Sequence, residues 1–325
     1  MSALQQLRTM TTIVADTGDL AAIARLKPID ATTNPSLITK ALIHPDNEAM
    51  LSETMSRHRG DIDAVIDELT VQIGCNILAL IEGRVSTEVD ARLSYDTQAT
   101  IDKALSFMEA YQKAGIDSER VLIKMAATWQ GIEAARYLET QGIHCNLTLL
   151  FGQHQAIACA DAGVTLISPF VGRILDWQKR QQNRLNVPAS DDMGVQSVKL
   201  IYQYYKQHGY KTQVMGASFR STEQILALAG CDLLTIAPNL IDELAAMDVE
   251  VTRQLSPSMS MDLADMTKVS LTHDEFSAAY QQDTVTQDLL PKGIDAGFDT
   301  RTLPRSGEAC RRPCGCRHRA NHILS

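Results

Sequence analysis

The sequence lacks several features that would assign it to common classes of protein. It has no run of about 18 apolar residues, and its first 20 residues do not form a secretory signal peptide. It also contains neither a Gly-x-Gly-x-x-Gly fingerprint nor a Walker-type Gly-Lys loop. These absences predict a soluble, cytoplasmic protein that has no membrane partner and no nucleotide cofactor bound through those motifs.

Cysteine is sparse in the body of the chain. Four of the seven cysteines, Cys75, Cys145, Cys159 and Cys231, are scattered through apolar segments, which is typical of reduced thiols in a cytosolic protein. The formal net charge of -9 disfavours a nucleic-acid partner. Any site for a phosphorylated ligand must therefore depend on a local group of cationic side chains.

Eight short β-rich runs recur along the body of the chain, and helical segments separate most of them. The runs cover residues 11–16, 30–33, 85–90, 121–126, 144–149, 164–169, 211–217 and 233–237. Strand-helix alternation indicates parallel pairing, and eight units predict an α/β fold of the (β/α)8 TIM-barrel type rather than an open doubly wound sheet. The connections 34–84 and 171–210 are long enough to hold extra helices.

The composition of the chain changes near residue 293. Residues 1–292 contain no internal repeat or flexible linker, so we expect a single TIM-barrel catalytic domain. Residues 293–325 form a basic tail rich in arginine and cysteine, which we expect to be disordered. The tail has three cysteines and two histidines whose spacing fits no standard zinc site, so we predict no metal and favour a frame-shifted end.

Lys124 is the most unusual residue of the predicted strands. It lies in the apolar run 121–126, typical of a strand buried on both faces, where an ammonium group is costly. Burial favours the neutral amine of a lysine, which can attack a ketone carbonyl to form a Schiff base. Because side chains alternate along a strand, Lys124 is expected to face the barrel axis together with Leu122 and Ala126.

The same alternation brings further polar side chains to the inner face of the barrel. Asp16 and Glu88 supply carboxylates, and the pattern places Asp90 beside Glu88. The inner hydroxyl and amide groups belong to Thr32, Asn34, Asn146, Thr148, Ser168 and Ser218. Gly216 is expected to face inward together with Ser218. Taken singly, each charge could belong to a structural ion-pair network, but together at the C-terminal strand ends they favour catalysis.

These groups suit covalent carbonyl chemistry that uses no metal and no cofactor. The lysine would attack a ketone, one carboxylate would move protons through a held water, and the other would deprotonate a substrate hydroxyl as a carbon-carbon bond breaks. The hydroxyl and amide groups would orient a polyol. Arg173 and Arg220 follow barrel strands and would bind a phosphate together with Ser218, so a sugar phosphate is predicted.

Seven ordered motifs in the chain resemble those of the transaldolase family. They are VADTG (14–18), DATTNPS (30–36), STEVDARLS (86–94), LIKMA (122–126), CNLTL (145–149), SPFVGR (168–173) and MGASFR (215–220). The resemblance covers about residues 5–290. It implies transfer of a dihydroxyacetone unit from fructose 6-phosphate or sedoheptulose 7-phosphate to erythrose 4-phosphate or glyceraldehyde 3-phosphate, in the non-oxidative pentose phosphate pathway.

The resemblance also implies a role for each matching residue. The Schiff-base lysine falls on Lys124, the water-holding pair on Glu88 and Thr148, and the acid/base aspartate on Asp16. The substrate-binding positions fall on Thr32, Asn34, Asn146, Ser168, Phe170, Arg173, Ser218 and Arg220. A homodimer is implied as well.

Two alternatives to a transferase stay open at this point. Fructose 6-phosphate aldolases of the same superfamily typically have tyrosine at the position of Phe170 and glutamine at that of Glu88. An apolar ring positions no water to release free dihydroxyacetone, so transfer is favoured over cleavage. A non-catalytic phosphosugar-binding protein is disfavoured because Asp16, Glu88 and Lys124 are all present. The resemblance ends near Ile294, where the terminal helix of the family is expected to be absent or altered.

Overall fold

The computed structural model describes residues 1–42, 44, 47–59, 61–258 and 267–297. Eight parallel strands close into a barrel in chain order, which confirms the predicted (β/α)8 TIM barrel. The strands are β1 (Thr12–Asp16), β2 (Asp30–Thr32), β3 (Val85–Glu88), β4 (Val121–Ala126), β5 (Cys145–Leu150), β6 (Leu166–Pro169), β7 (Gln213–Gly216) and β8 (Leu233–Ile236). Each lies within or overlaps one of the eight predicted runs.

Fourteen α-helices lie within the described ranges. They are α1 (Ala3–Leu7), α2 (Leu20–Leu26), α3 (Pro35–Leu42), α4 (Glu48–Arg57), α5 (Ile62–Leu78), α6 (Thr97–Lys113), α7 (Trp129–Thr140), α8 (Gln153–Asp161), α9 (Gly172–Gln182), α10 (Met193–Gln207), α11 (Thr222–Leu226), α12 (Pro238–Ala246), α13 (His273–Gln282) and α14 (Thr284–Gly297). The first long connection holds α3 to α5 and the second holds α9 and α10, so the predicted extra helices are confirmed. No helix in the described part of the chain has the length and apolar character needed to cross a membrane.

The barrel interior is divided into an apolar layer and a polar layer. Val14, Leu122, Leu166, Met215 and Leu233 form a buried cluster that is separate from the main core between strands and helices. Four of these residues are followed two positions later by a polar residue of the same strand. Those polar residues are Asp16, Lys124, Ser168 and Thr235. The strand pleat therefore sets a row of polar groups directly above an apolar floor.

Two of the predicted inward positions are wrong. Met215 belongs to the inner cluster, whereas a Cβ on Gly216 would meet Leu234 and Leu228 of the outer core, so Gly216 faces the helices. Asp90 lies beyond the end of β3, where its carboxylate caps the 3₁₀ turn Ala91–Leu93 and pairs with Arg92. Strand alternation does not extend into such turns, which explains the second error.

The C-terminal helix α14 packs over the end of β5. Leu289, Leu290 and Ile294 cluster with Leu149 and Phe151, and the helix continues to Gly297. The predicted domain boundary after residue 292 therefore falls inside α14, which includes residues 293–297. Residues 298–325, with the cysteines and histidines considered for zinc, lie outside the described residues.

We propose that the catalytic domain extends at least to Gly297, and two truncations test this. A chain ending at Lys292 loses the buried Ile294 side chain, whose burial contributes about 2 kcal/mol, so its thermal midpoint should fall by about 5 °C. A chain ending at Gly297 is the matched control and should melt at a higher temperature than the chain ending at Lys292. Equal midpoints for the two truncations, measured by differential scanning calorimetry, would contradict the proposal.

Candidate active site

The predicted site residues converge at the C-terminal ends of the barrel strands. Ten of the twelve line one cavity of about 210 Å³. The ten are Asp16, Thr32, Asn34, Lys124, Thr148, Ser168, Phe170, Arg173, Ser218 and Arg220. The other two, Glu88 and Asn146, contact this lining, since Glu88 pairs with Lys124 and Asn146 accepts a hydrogen bond from Ser168.

Lys124 is held by a carboxylate and a backbone carbonyl. Its Nζ lies 2.8 Å from Glu88 Oε2 and donates to the carbonyl oxygen of Thr33 at 3.1 Å. The side chains of Lys124 and Glu88 are only 9% and 12% exposed. Two neighbouring strands place them opposite each other, because Glu88 and Lys124 are partners in the β3–β4 register. A buried ammonium group is tolerated only with such partners, which also fix the direction of the amine.

Asp16 is the second buried carboxylate of the site. It is held at the end of β1, and its Oδ1 accepts a hydrogen bond of 3.2 Å from Thr32 Oγ1. Burial raises the pKa of the Asp16 carboxyl above its ordinary value, while Lys124, the Thr32 hydrogen bond and Arg173 act in the opposite direction. A carboxyl whose pKa is shifted towards neutrality is suited to both accept and return a proton.

Thr148 and Ser168 present hydroxyl groups to the same cavity. The Thr148 Oγ1 atom is buried and has no hydrogen-bond partner among the described residues, so it can both donate to and accept from a ligand or water. Ser168 donates to Asn146 Oδ1 at 2.6 Å, and Asn146 Nδ2 donates to Ser86 Oγ at 3.0 Å. The buried amide of Asn146 is therefore hydrogen-bonded through both its oxygen and its nitrogen, and it orients the Ser168 hydroxyl.

Asn34 joins β2 to the helix that follows it. Its Oδ1 accepts from the backbone N–H of Leu37 at 2.9 Å and so caps the start of α3. Capping occupies the amide oxygen, which leaves the amide nitrogen of Asn34 as the group that can donate to a ligand in the cavity.

Two arginines form the cationic end of the cavity. Arg220 Nε and Nη2 donate to Asp176 Oδ2 at 3.0 and 2.8 Å, and Nη1 donates to the Ser218 carbonyl oxygen at 3.3 Å. The Arg173 guanidinium lies 4.9 Å from the centroid of the Phe170 ring. Two cations with several free N–H groups can bind a phosphate in bidentate fashion.

A glycine and a strained residue bring these cations together. A Cβ on Gly172, at the start of α9, would lie 2.2 Å from the Ser218 carbonyl oxygen, so only glycine permits this approach. Ser218 has a φ of 63°, which is unfavourable for a residue with a side chain and is often found at functional sites. This turn brings Ser218 to the cavity although Gly216 faces outward.

Comparison with known proteins assigns the chain to a family. The family described as Transaldolase/Fructose-6-phosphate aldolase matches residues 13–301. The chain belongs to this family. The transaldolase of Nostoc sp. (strain PCC 7120) is 54% identical over 301 residues, which is 90% of each chain. The transaldolase of Gloeobacter violaceus is 53% identical over 303 residues, covering 90% of this chain and 77% of the relative. That of Thermosynechococcus vestitus is 51% identical over 322 residues, covering 96% and 82%.

Sequence patterns did not indicate every residue in and around this transaldolase-family cavity. Thr235 on β8 lies in the cavity, and its place two residues after inward Leu233 could have revealed it. Asp176 contacts Arg220 across 44 positions of sequence, and no local pattern signals such a pair. No group of three or more potential metal ligands was found in the residues that the structure describes.

Proposed function

We propose that this chain is a transaldolase. It transfers a dihydroxyacetone unit from fructose 6-phosphate or sedoheptulose 7-phosphate to erythrose 4-phosphate or glyceraldehyde 3-phosphate, as a step of the non-oxidative pentose phosphate pathway. The observation that supports this most is the enclosed Lys124–Glu88 pair, with Nζ and Oε2 2.8 Å apart, beside the buried carboxyl of Asp16. Relatives that are 51–54% identical and named transaldolase support the same activity.

The proposed reaction begins at Lys124. Its amine attacks the substrate ketone, and the proton that it gives up passes to Glu88, whose Oε2 lies within hydrogen-bonding distance. A water held between Glu88 and the free hydroxyl of Thr148 carries protons as the carbinolamine loses water to form the imine. Asp16 then removes the proton from the hydroxyl two carbons beyond the imine carbon, the adjacent carbon-carbon bond breaks, and its electron pair moves into the protonated imine.

The rest of the cavity holds the two ends of the sugar phosphate. Arg173, Arg220 and Ser218 bind the phosphate, while Asn34 and Ser168 contact hydroxyl groups along the chain. Thr32 contributes through its hydrogen bond to Asp16, and Asn146 through its hydrogen bond to Ser168. Because these groups lie on or just beyond the ends of different barrel strands, they hold the reacting carbon close to Lys124 from several sides.

A fructose 6-phosphate aldolase is the second candidate in the same family. The Phe170 ring packs edge-to-face on Phe151 at 5.4 Å between centroids and is covered by Arg173, so this wall has no hydroxyl group that could place a water. Among the residues described, no group on this side of the cavity positions a water against the three-carbon imine, which favours transfer to an aldehyde over hydrolysis. A phosphosugar-binding protein without turnover would not need the buried Lys124–Glu88 pair.

The test combines covalent trapping with a transfer assay. Borohydride reduction in the presence of fructose 6-phosphate should attach a three-carbon adduct to Lys124, identified by peptide mass spectrometry. Addition of erythrose 4-phosphate should yield sedoheptulose 7-phosphate with little free dihydroxyacetone. Absence of any adduct would contradict both enzyme functions, and release of dihydroxyacetone at the rate of cleavage would indicate the aldolase.

We further propose that the protein is a cytoplasmic homodimer. Its four described cysteines are free thiols, which suits a reducing compartment, and the family resemblance implies the dimer. Sedimentation equilibrium of the full chain at micromolar concentration should give twice the mass of one chain, and a single-chain mass there would contradict the dimer.

A further inference from the structure

Thr235 occupies a buried position beside the proposed acid/base group. It lies on β8, lines the cavity and is 4% exposed. Its Oγ1 is 2.8 Å from Thr32 Oγ1, which in turn is 3.2 Å from Asp16 Oδ1. β1 lies between β2 and β8 in the barrel, so the two threonines reach across it from both sides to form a hydrogen-bonded chain that ends at Asp16.

When Asp16 is in its base form, its carboxylate sets the direction of this chain. A carboxylate can only accept hydrogen bonds, and each threonine hydroxyl has a single proton to donate. Thr32 must therefore donate to Asp16, which leaves the Thr32 oxygen to accept the proton of Thr235. Successive hydrogen bonds of this kind polarise one another, so the second hydroxyl strengthens the bond that the first one makes.

We propose that Thr235 is a positioning residue of the transaldolase reaction, acting through Thr32 to hold the Asp16 carboxylate ionised and aimed at the substrate hydroxyl. This inference rests on the proposed function. We assign Thr235 no part in imine formation, because the hydrogen-bonded chain runs from Thr235 through Thr32 to Asp16 and includes neither Lys124 nor Glu88.

The charges around Asp16 determine the sign of the expected pH effect. Burial raises the pKa of Asp16 and Lys124 and Arg173 lower it, while Glu88, Arg220 and Asp176 are further charged groups that act on Arg173 in the same region. Loss of the Thr235 hydroxyl weakens the Thr32 hydrogen bond, so the pKa of Asp16 rises further. Asp16 then becomes protonated at a higher pH, so the acidic limb of the pH-rate profile shifts to higher pH.

The experiment compares three variants of the full chain with the wild type. Thr235→Val has nearly the same shape but no hydroxyl, Thr235→Ser restores the hydroxyl, and Thr87→Val is the matched control. Thr87 is equally buried and loses a hydrogen bond of 2.6 Å to Tyr111, outside the cavity. The readouts are kcat and KM for transfer from fructose 6-phosphate to erythrose 4-phosphate across pH, with thermal midpoints measured in parallel.

For Thr235→Val we expect the acidic limb to move up by about 0.5–1 pH unit and kcat to fall about threefold to tenfold, with KM nearly unchanged. Thr235→Ser should return the acidic limb and kcat towards their wild-type values, and Thr87→Val should change neither of these two quantities. Thr235→Ala replaces Thr235→Val if the latter does not fold, with the same expected shift.

Three results would overturn the inference while leaving the proposed function intact. They are an unshifted acidic limb in an active Thr235→Val protein, an equal shift in Thr87→Val, and a rise in KM alone, which would instead indicate direct substrate contact. A wild-type chain without transfer activity would contradict the proposed function itself.

Discussion

Replacing Lys124 with methionine is expected to lower kcat/KM for transfer by about 10⁴-fold or more. Loss of a covalent nucleophile typically has an effect of this size, because the remaining groups can bind the substrate but cannot form the intermediate. Methionine fills the space of the lysine stem without an amine, so borohydride should trap no adduct. The measurement is steady-state transfer together with mass spectrometry of the reduced protein.

The same variant should also be less stable. Glu88 is 12% exposed and would lose its ion-pair partner, so we expect the free energy of unfolding to fall by about 3 kcal/mol. Lys199→Met is the matched control, since Lys199 is a half-buried lysine on α10 and does not line the cavity. Retention of adduct formation by Lys124→Met, or its loss in Lys199→Met, would contradict the role of Lys124.

The fold could be predicted because its signals are local. β4 is apolar on both sides of Lys124, and its predicted limits, residues 121 and 126, are the observed ones. Gly115, Gly142 and Gly163 all have positive φ just after a helix, as helix C-terminal glycines require. α14 was missed in part because Pro291 lies inside it and the tail beyond has no apolar period. α14 packs on β5, and a local stretch of sequence does not reveal that contact.

The candidate site could be predicted only where strand alternation applies. Asp16, Lys124 and Thr148 project inward because the pleat is regular up to their positions. In β5 the alternation ends at Leu149, whose φ is 53°, and after β7 it ends at Ser218. Beyond such points a side chain's direction depends on the turn, so the cationic end could be inferred only from the positions of Arg173 and Arg220 just after barrel strands, and not from the alternation.

Hydrogen-bond partners were the least predictable part of the site. Asn146 was predicted as a ligand contact, and the structure adds hydrogen bonds between its amide and both Ser86 and Ser168 that the sequence did not indicate. Thr235 lies between Leu234 and Ile236, and β-branched residues are common inside strands. Its residue type alone therefore did not mark Thr235 as part of the site. These hydrogen bonds join residues that are distant in sequence. The closed barrel brings the donor and acceptor atoms within 3 Å of each other, as for Thr32 and Thr235.

Replacing Glu88 with glutamine is expected to slow imine formation without preventing it. Glutamine keeps the size of the side chain and an oxygen that can accept from Lys124 Nζ, but it does not take up protons at neutral pH. General acid-base catalysis contributes about 10²- to 10⁴-fold, so kcat should fall by that factor. Borohydride trapping over time should show a similarly slower rise to an undiminished final amount of adduct.

Glu139 offers a matched control for this substitution. Its side chain is also 12% exposed, but it accepts hydrogen bonds from the backbone N–H groups of Cys145 and Thr165, away from the cavity. Glu139→Gln should therefore affect stability and leave the trapping rate unchanged below its thermal midpoint. If Glu88→Gln formed the adduct at the wild-type rate, Glu88 would be an ion-pair partner that holds Lys124 in place, and proton transfer during imine formation would have to be assigned to Asp16 or to water.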